Sequence, residues 1–306
     1  MTSLGPLAEL AARMADAADV EAVVDTALVG LGELLGFPNA LVLLHHVESD
    51  TLVTMASRGY DEIGIGSEVR LGEGVIGMAA ERRRPMRIGN LQRMLAYART
   101  VQRGLADDAV PGTDITLPGL PDARSQLAAP MLARASLIGV IAVESSTAVA
   151  FDEGDEHVLS VVATLVGSAL DGQHLASADP EPAVLTPTPS APTELPATVA
   201  PTRLRHYVID GSTFLDDAYV IKGVAGRLLW KVASEHATTG RTAFTNREAR
   251  LDPALELPPF RDNFESRLIL LKRRLEERDA PVRITGTGRG CFELSVDRPL
   301  VLERVG

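Results

Sequence analysis

From Asp19 to Gly36 the chain reads DVEAVVDTALVGLGELLG, apolar at helical spacing behind an aspartate suited to cap a helix and ahead of a glycine suited to end one. A helix over 19–36 is predicted. Two aliphatic and β-branched runs follow, NALVLLHHVES and TLVTMASRG, and their meeting point at Ser49 and Asp50 predicts a hairpin. SEVRLGEGVIGMAAERRRPMRIGN predicts a glycine turn, a short helix from Val75 to about Arg83 and a strand after Pro85. Residues 90–106 have helical spacing, 107–124 form a Pro/Gly/Asp-rich loop, and SQLAAPMLARASLIGVIAVESS is a second hairpin. FDEGDEHVLSVVATLVGSAL closes the pattern as a helix with acids in its first turn, where the helix dipole favours them.

Periodicity then stops. Residues 173–204 carry prolines at short intervals and no apolar repeat, the composition of an extended spacer between domains. Beyond it, YVID and AYVIK within 207–221 predict strands, and Gly226–His236 a helix with Leu228, Leu229, Trp230 and Val232 as its apolar contacts. A short helix is expected from Thr245–Asn246, with Asn246 as its cap, and a third from Phe260 to about Arg278 after Pro258–Pro259. On that third helix Phe264, Leu268, Leu271 and Leu275 share the face predicted to be buried. Asn263, Arg267 and Arg274 line one flank, Arg273 points nearly away from the core, and Ile269 and Leu270 fall on the exposed side. VRIT and CFELSV are strands with Gly286-Thr-Gly-Arg-Gly290 between them. A phosphate-cradling glycine loop runs from a strand into a helix N-terminus. This one runs from strand to strand, so it reads as a hairpin turn with Arg289 at its tip.

The length of 306 residues and 45% apolar content suit two domains. No uncharged apolar run reaches membrane-spanning length, and MTSLGPLAEL has neither the basic nor the apolar part of a signal peptide, so a cytoplasmic protein with no membrane partner is expected. Cys291 is the one cysteine, which excludes an internal disulfide, a multi-cysteine zinc site and an iron–sulfur cluster. Residues 1–201 hold 12 arginines, no lysine and 26 acids, and 202–306 hold 18 basic and 15 acidic residues; the parts carry −14 and +3, which make up the chain's −11. Acidic charge on the first part disfavours non-specific nucleic-acid binding there. No nucleophile motif, metal-ligand spacing or phosphate loop is present, so no enzyme is expected. Met55, Met78, Met86, Met94 and Met131 are taken as apolar filling.

The segments GEGVIGMAAERRRPMRI and LIGVIAVES…FDEGDEHVL, in this element order, resemble a GAF domain over roughly residues 4–172. The resemblance implies an antiparallel sheet with the first and last helices on one face, a homodimer through those helices, and a pocket for a small-molecule ligand on the other face. The Asn-Lys-Phe-Asp-Glu signature of the cyclic-nucleotide members is absent, and bilin attachment or GAF-type methionine sulfoxide reduction needs a cysteine that this domain lacks. Phe37, Tyr60, Tyr97 and Phe151 are its aromatic rings. His45 and His46, on opposite strand faces, and Tyr97 are the candidate ligand-binding residues; for the histidines the plainer role is a hydrogen-bonded wall or surface residue. Arg82, Arg83 and Arg84 could grip an anion or simply complement the end of a short helix.

The stretch FESRLILLKRRLEERDAPVRITGTGRGCFEL resembles the end of an OmpR/PhoB-type winged-helix effector domain, with the likeness spanning about 207–300. It implies a third helix in the major groove of double-stranded DNA and a wing on the backbone or minor groove, which by position assigns DNA contacts to Asn263, Arg267, Arg273, Arg274 and Arg289. Ile269 and Leu270 on the outer side, Asp262 and Glu265 near the helix start, and Cys291 after the last wing glycine depart from the family pattern. The expected fold class is α+β: a GAF-type antiparallel sheet with flanking helices (1–172), a Pro-rich linker (173–204) and a winged helix-turn-helix domain (205–306). The expected function is a one-component transcriptional regulator. The alternative is a signalling adaptor that binds no DNA and docks proteins through both modules.

Overall fold

The computed structural model describes residues 4–47, 49–91, 115–176, 200–257, 264–288 and 290–306, with side chains of the closing first-unit helix described to residue 171. The expected helix at 90–106 and the first part of the loop at 107–124 therefore lie mostly outside the described residues. Two compact units divide the chain between Gln173 and His174.

The first unit opens with α1 (Leu4–Ala15) and α2 (Val20–Glu33), the second capped by the Asp19 carboxylate, which accepts the Ala22 N–H at 2.8 Å. Six strands follow: β1 (Asn39–His46), β2 (Thr51–Arg58), β3 (Glu68–Arg70), β4 (Met86–Ile88), β5 (Ser125–Ala133) and β6 (Ser136–Ser145). Helix α3 (Gly74–Arg82) lies between β3 and β4, and α4 (Glu153–Ala176) closes the unit. The strands form one antiparallel sheet in the order β3-β2-β1-β6-β5-β4.

Strand alternation separates two apolar faces. Ala40 and Val42 of β1 and Ile141 and Val143 of β6 share one side by register; α2 lies over β1 and β2, and α4 meets β5 where a Cβ at Gly167 would stand 3.1 Å from that of Met131. On the opposite side Leu41, Leu43, Ala128, Val140 and Ala142 form one buried cluster with Val75, Ile76, Ala79 and Ala80 of α3. The β5–β6 hairpin turns through Arg134 and Ala135, both left-handed at φ 47 and 63. An Arg134–Asp171 ion pair at 3.1 Å and an Arg83 N–H···O=C bond to Ala135 at 2.9 Å hold this turn.

The second unit begins with β7 (Thr202–Tyr207), β8 (Thr213–Leu215) and β9 (Ala218–Ile221). Thr202 and Leu204 are fully buried, so the strand starts inside the stretch read as linker. Helix α5 (Gly223–Thr239), strand β10 (Ala243–Thr245), helix α6 (Asn246–Leu251), a 3-10 turn (Pro253–Leu255), helix α7 (Phe264–Glu277) and hairpin β11 (Val282–Gly288)–β12 (Cys291–Val296) come next. The last strand, β13 (Leu300–Val305), lies parallel to β7, giving a sheet β13-β7-β8-β9, while β10 joins the hairpin as β10-β12-β11.

Two sequence expectations are corrected here. Thr245, not Asn246, caps α6, in a reciprocal box with Glu248 whose carboxylate returns to the cap's N–H. The buried band of α7 is also wider than one face, because the helix contacts α5, β9 and β11. Leu268 is half-buried, whereas Leu270, expected outside, is only 1% exposed.

Candidate functional site

The α3 side of the first-unit sheet ends in a small polar group. Glu144 stands on β6 two residues beyond Ala142 and four beyond Val140, so alternation turns it to the same side as these core residues. It is only 7% exposed. One oxygen accepts the Leu120 N–H at 2.9 Å and the other the Gln126 Nε2–H at 2.8 Å, across the β5–β6 register pair. Burial pushes its carboxyl above the usual range, and these two hydrogen bonds only partly oppose the shift.

Tyr60 reaches this group from the end of β2. Gly59 precedes it at φ 83, where a Cβ would stand 2.2 Å from the Pro38 carbonyl oxygen; only glycine fits this bend. The Asn39 side-chain amide holds the Gly59 carbonyl. The loop after Tyr60 rests on the segment before β5, since a Cβ at Gly64 would meet Pro118 at 2.6 Å. Tyr60 thereby packs against the α3-side cluster beside Leu117 and Leu120. Its hydroxyl is buried with no hydrogen-bond partner among the described residues. Burial, and then the nearby Glu144 charge, push its ionisation upward, so it stays a neutral phenol.

The sequence-predicted ligand residues do not converge on this group. His45 is six residues from Asn39 along β1, roughly 20 Å at about 3.3 Å per residue, and its Nε2 lies 3.2 Å from Asp50 Oδ1 at the β1–β2 turn. His46 takes the opposite face by alternation. Tyr97 lies outside the described residues. Phe37 and Phe151 pack on each other at 5.9 Å in the core. Arg83 caps α3 at φ 52 and is bonded to the Ala135 carbonyl. Among the described residues no group of three or more His, Cys, Asp or Glu side chains is gathered for a metal, and no helix is long and apolar enough to cross a membrane.

In the second unit the arginine flank of α7 is turned inward. Arg267 and Arg274 are each 5% exposed, which corrects the expectation that they face DNA. The Arg274 Nε–H donates to the Val220 carbonyl at 2.9 Å and its Nη1 pairs with Glu277 at 2.6 Å. Arg273 is half-exposed, as is Ile269. Asn263 and Arg289 lie outside the described residues. Glu265, an acid near the helix start, is paired with Arg250 of α6 and accepts from Asn246 at 3.3 Å.

The GAF domain family model matches residues 17–171, and the chain belongs to the GAF domain family. Among solved structures, it is similar to the GAF domain of an Acinetobacter phosphoenolpyruvate-protein phosphotransferase, at 18% identity over 56% of this chain and 94% of that one, with a TM-score of 0.47. The GAF domain of a Coxiella burnetii phosphoenolpyruvate-protein phosphotransferase is similar at 19% identity, 58% and 98% coverage and a TM-score of 0.45. Free methionine-R-sulfoxide reductase from Neisseria meningitidis, in complex with its substrate, gives 22%, 56% and 89%, and 0.44. No curated protein matches the chain. At these identities and scores nothing of those proteins' ligands or reactions passes to this one.

Proposed function

We propose that this is a one-component transcriptional regulator, in which the GAF unit senses a small molecule and the second unit is a winged helix that binds double-stranded DNA. The observation that carries the DNA reading is the element order of the second unit: helix, strand, helix, helix and hairpin, with the strand between the first two helices paired to the hairpin. A net charge of +3 over 202–306 supports it. So does the neutralisation of Glu265 by Arg250, which removes an acid from the start of α7. With Arg267 and Arg274 inside the fold, the contacts on α7 fall to Lys272 and Arg273, both half-exposed, joined by Arg289 of the glycine-rich sequence between β11 and β12.

Regulation then requires the ligand to distinguish two arrangements of a homodimer. Val161, 44% exposed on α4, is part of the surface such a dimer needs. The proline-rich spacer makes tethering and dimer spacing the means of coupling rather than a rigid lever. Neither unit is assigned a reaction. The protein-docking alternative drew on an exposed Ile269–Leu270 pair, and the burial of Leu270 takes that observation away.

The test is selection of genomic DNA fragments by the purified full-length protein at two salt concentrations, beside a Lys272→Ala/Arg273→Ala/Arg289→Ala variant. Enrichment of a defined site that weakens with salt and is lost in the variant supports the proposal. A folded protein that enriches nothing at low salt overturns the DNA reading.

A further inference from the structure

Two groups on the α3 side of the first-unit sheet have unmet chemistry. Glu144 is a buried carboxylate whose oxygens each accept one hydrogen bond, from Leu120 N–H and Gln126 Nε2–H, although a carboxylate can accept about four. Both donors are neutral, and no basic side chain among the described residues pairs with it. A carboxylate in this position is stabilised by a cation or gives up its charge to a proton. Tyr60, beside it, carries the second: a buried hydroxyl with no partner among the described residues. A buried polar atom left alone is rare in a native fold and calls for a cause. Apolar Leu41, Ala142, Ala128 and Met86 continue from this polar end along the same side of the sheet.

We propose that the GAF unit binds a small, flat ligand bearing a cationic N–H fork, an amidinium or guanidinium, whose two parallel N–H groups meet the Glu144 carboxylate while a third donates to the Tyr60 hydroxyl oxygen. This deepens the sensor reading above, and rests on it. The fork geometry suits a carboxylate whose remaining lone pairs lie on both oxygens, and among the described residues no side chain supplies the matching charge. A flat apolar body then lies against the partly buried Met86, Leu117 and Leu120 at the margin of the α3-side cluster, where it gains burial without asking for further polar partners. A water molecule would satisfy the Tyr60 hydroxyl but not the charge on Glu144, so the two occupants differ in what they predict.

Calorimetric titration of the full-length protein with benzamidine, benzoate and benzyl alcohol tests this, because the three share a flat ring and differ in the charge of the head. The expected result is saturable benzamidine binding at about 1 mM or tighter, with the other two at least about tenfold weaker. Glu144→Gln should weaken benzamidine at least about tenfold, and Tyr60→Phe, which removes one oxygen and little volume, about threefold or more. Should Glu144→Gln fail to fold, Tyr60→Phe and the three-ligand comparison still decide. No saturable benzamidine binding, equal binding of benzoate or benzyl alcohol, or unchanged affinity in both variants overturns the proposal. Failure of DNA selection leaves this result standing, and failure here with DNA selection intact removes only the ligand class.

Discussion

The Arg274 Nε–H group donates to the Val220 carbonyl 2.9 Å away, so a side chain expected on the DNA surface instead ties α7 to β9. Its Nη1 is held by Glu277, whose side chain is itself largely covered. Removing Arg274 deletes both the covered bond to the Val220 carbonyl and the charge pair with Glu277. Arg274→Ala is therefore expected to lower the stability of the second unit by about 3 kcal/mol, measured as the urea midpoint followed by fluorescence of Trp230. Arg273→Ala should cost less than about 1 kcal/mol while weakening DNA binding, and equal stability losses in the two variants would contradict the assignment.

The β5–β6 turn offers a gain instead. Arg134 and Ala135 both occupy left-handed backbone, a conformation that costs an L-residue roughly 1–2 kcal/mol and that two-residue hairpins normally give to Asn-Gly. Ala135→Gly keeps the carbonyl that Arg83 grips, so it is expected to stabilise the first unit by about 1 kcal/mol. Thermal unfolding followed by circular dichroism checks it. An unchanged or lower midpoint would mean the turn is not strained.

Glu144 reverses the usual pH behaviour of a carboxylate. Its folded-state ionisation is raised, by burial first, above the value of 4.5 for a free side chain. Below that value both states are protonated and nothing is lost; as pH rises through the folded-state value, the folded protein must hold an unwelcome charge and stability falls. The urea midpoint of the first unit should thus decline with rising pH above 4.5 more steeply than in Glu144→Gln. Parallel curves for the two proteins would remove Glu144 as the cause.

His206 has the opposite sign. It stacks on Trp230 at 5.2 Å, and its Nδ1 lies 3.2 Å from the Thr213 hydroxyl. Burial, and then the charges of Arg304 and Arg227, push its titration down from 6.5 to about 4. The unfolded chain takes up the proton first, so stability is full above pH 6.5 and is lost as pH falls toward about 4. Trp230 is the one tryptophan in the sequence and reports this unit directly. His206→Phe should flatten the pH dependence of its unfolding between those values.

What the sequence disclosed followed from local rules. The Asp19 cap, the apolar period of α2 and the two first-unit hairpins depend on neighbours in the chain, and each can be read from a short window. Glu144 left a fainter mark: it falls in step with Val140 and Ala142, so alternation alone turns it inward. Its covering by Leu120 depends on a loop far away in sequence, which no local pattern reports. The burial of Arg267 and Arg274 is not legible from a helical wheel, which assumes one buried face, whereas α7 contacts two helices and two strands. Strand β13 carries little local signal, because LVLERV is a short run after a proline and its partner lies almost a hundred residues earlier.

That partner sets how the second unit is made. Thr202 of its first strand pairs in parallel with Leu300 of its last, and Tyr207 with Val305, so the sheet is complete only when the two ends of the unit meet. The entropy of closing so long a loop must be met before the pairing returns anything. The α5 and α7 helices can form early from nearby contacts, while the edge of the sheet closes late. Refolding of this unit should accordingly be slower than its helix content suggests, with the β7 edge transiently bare until β13 docks.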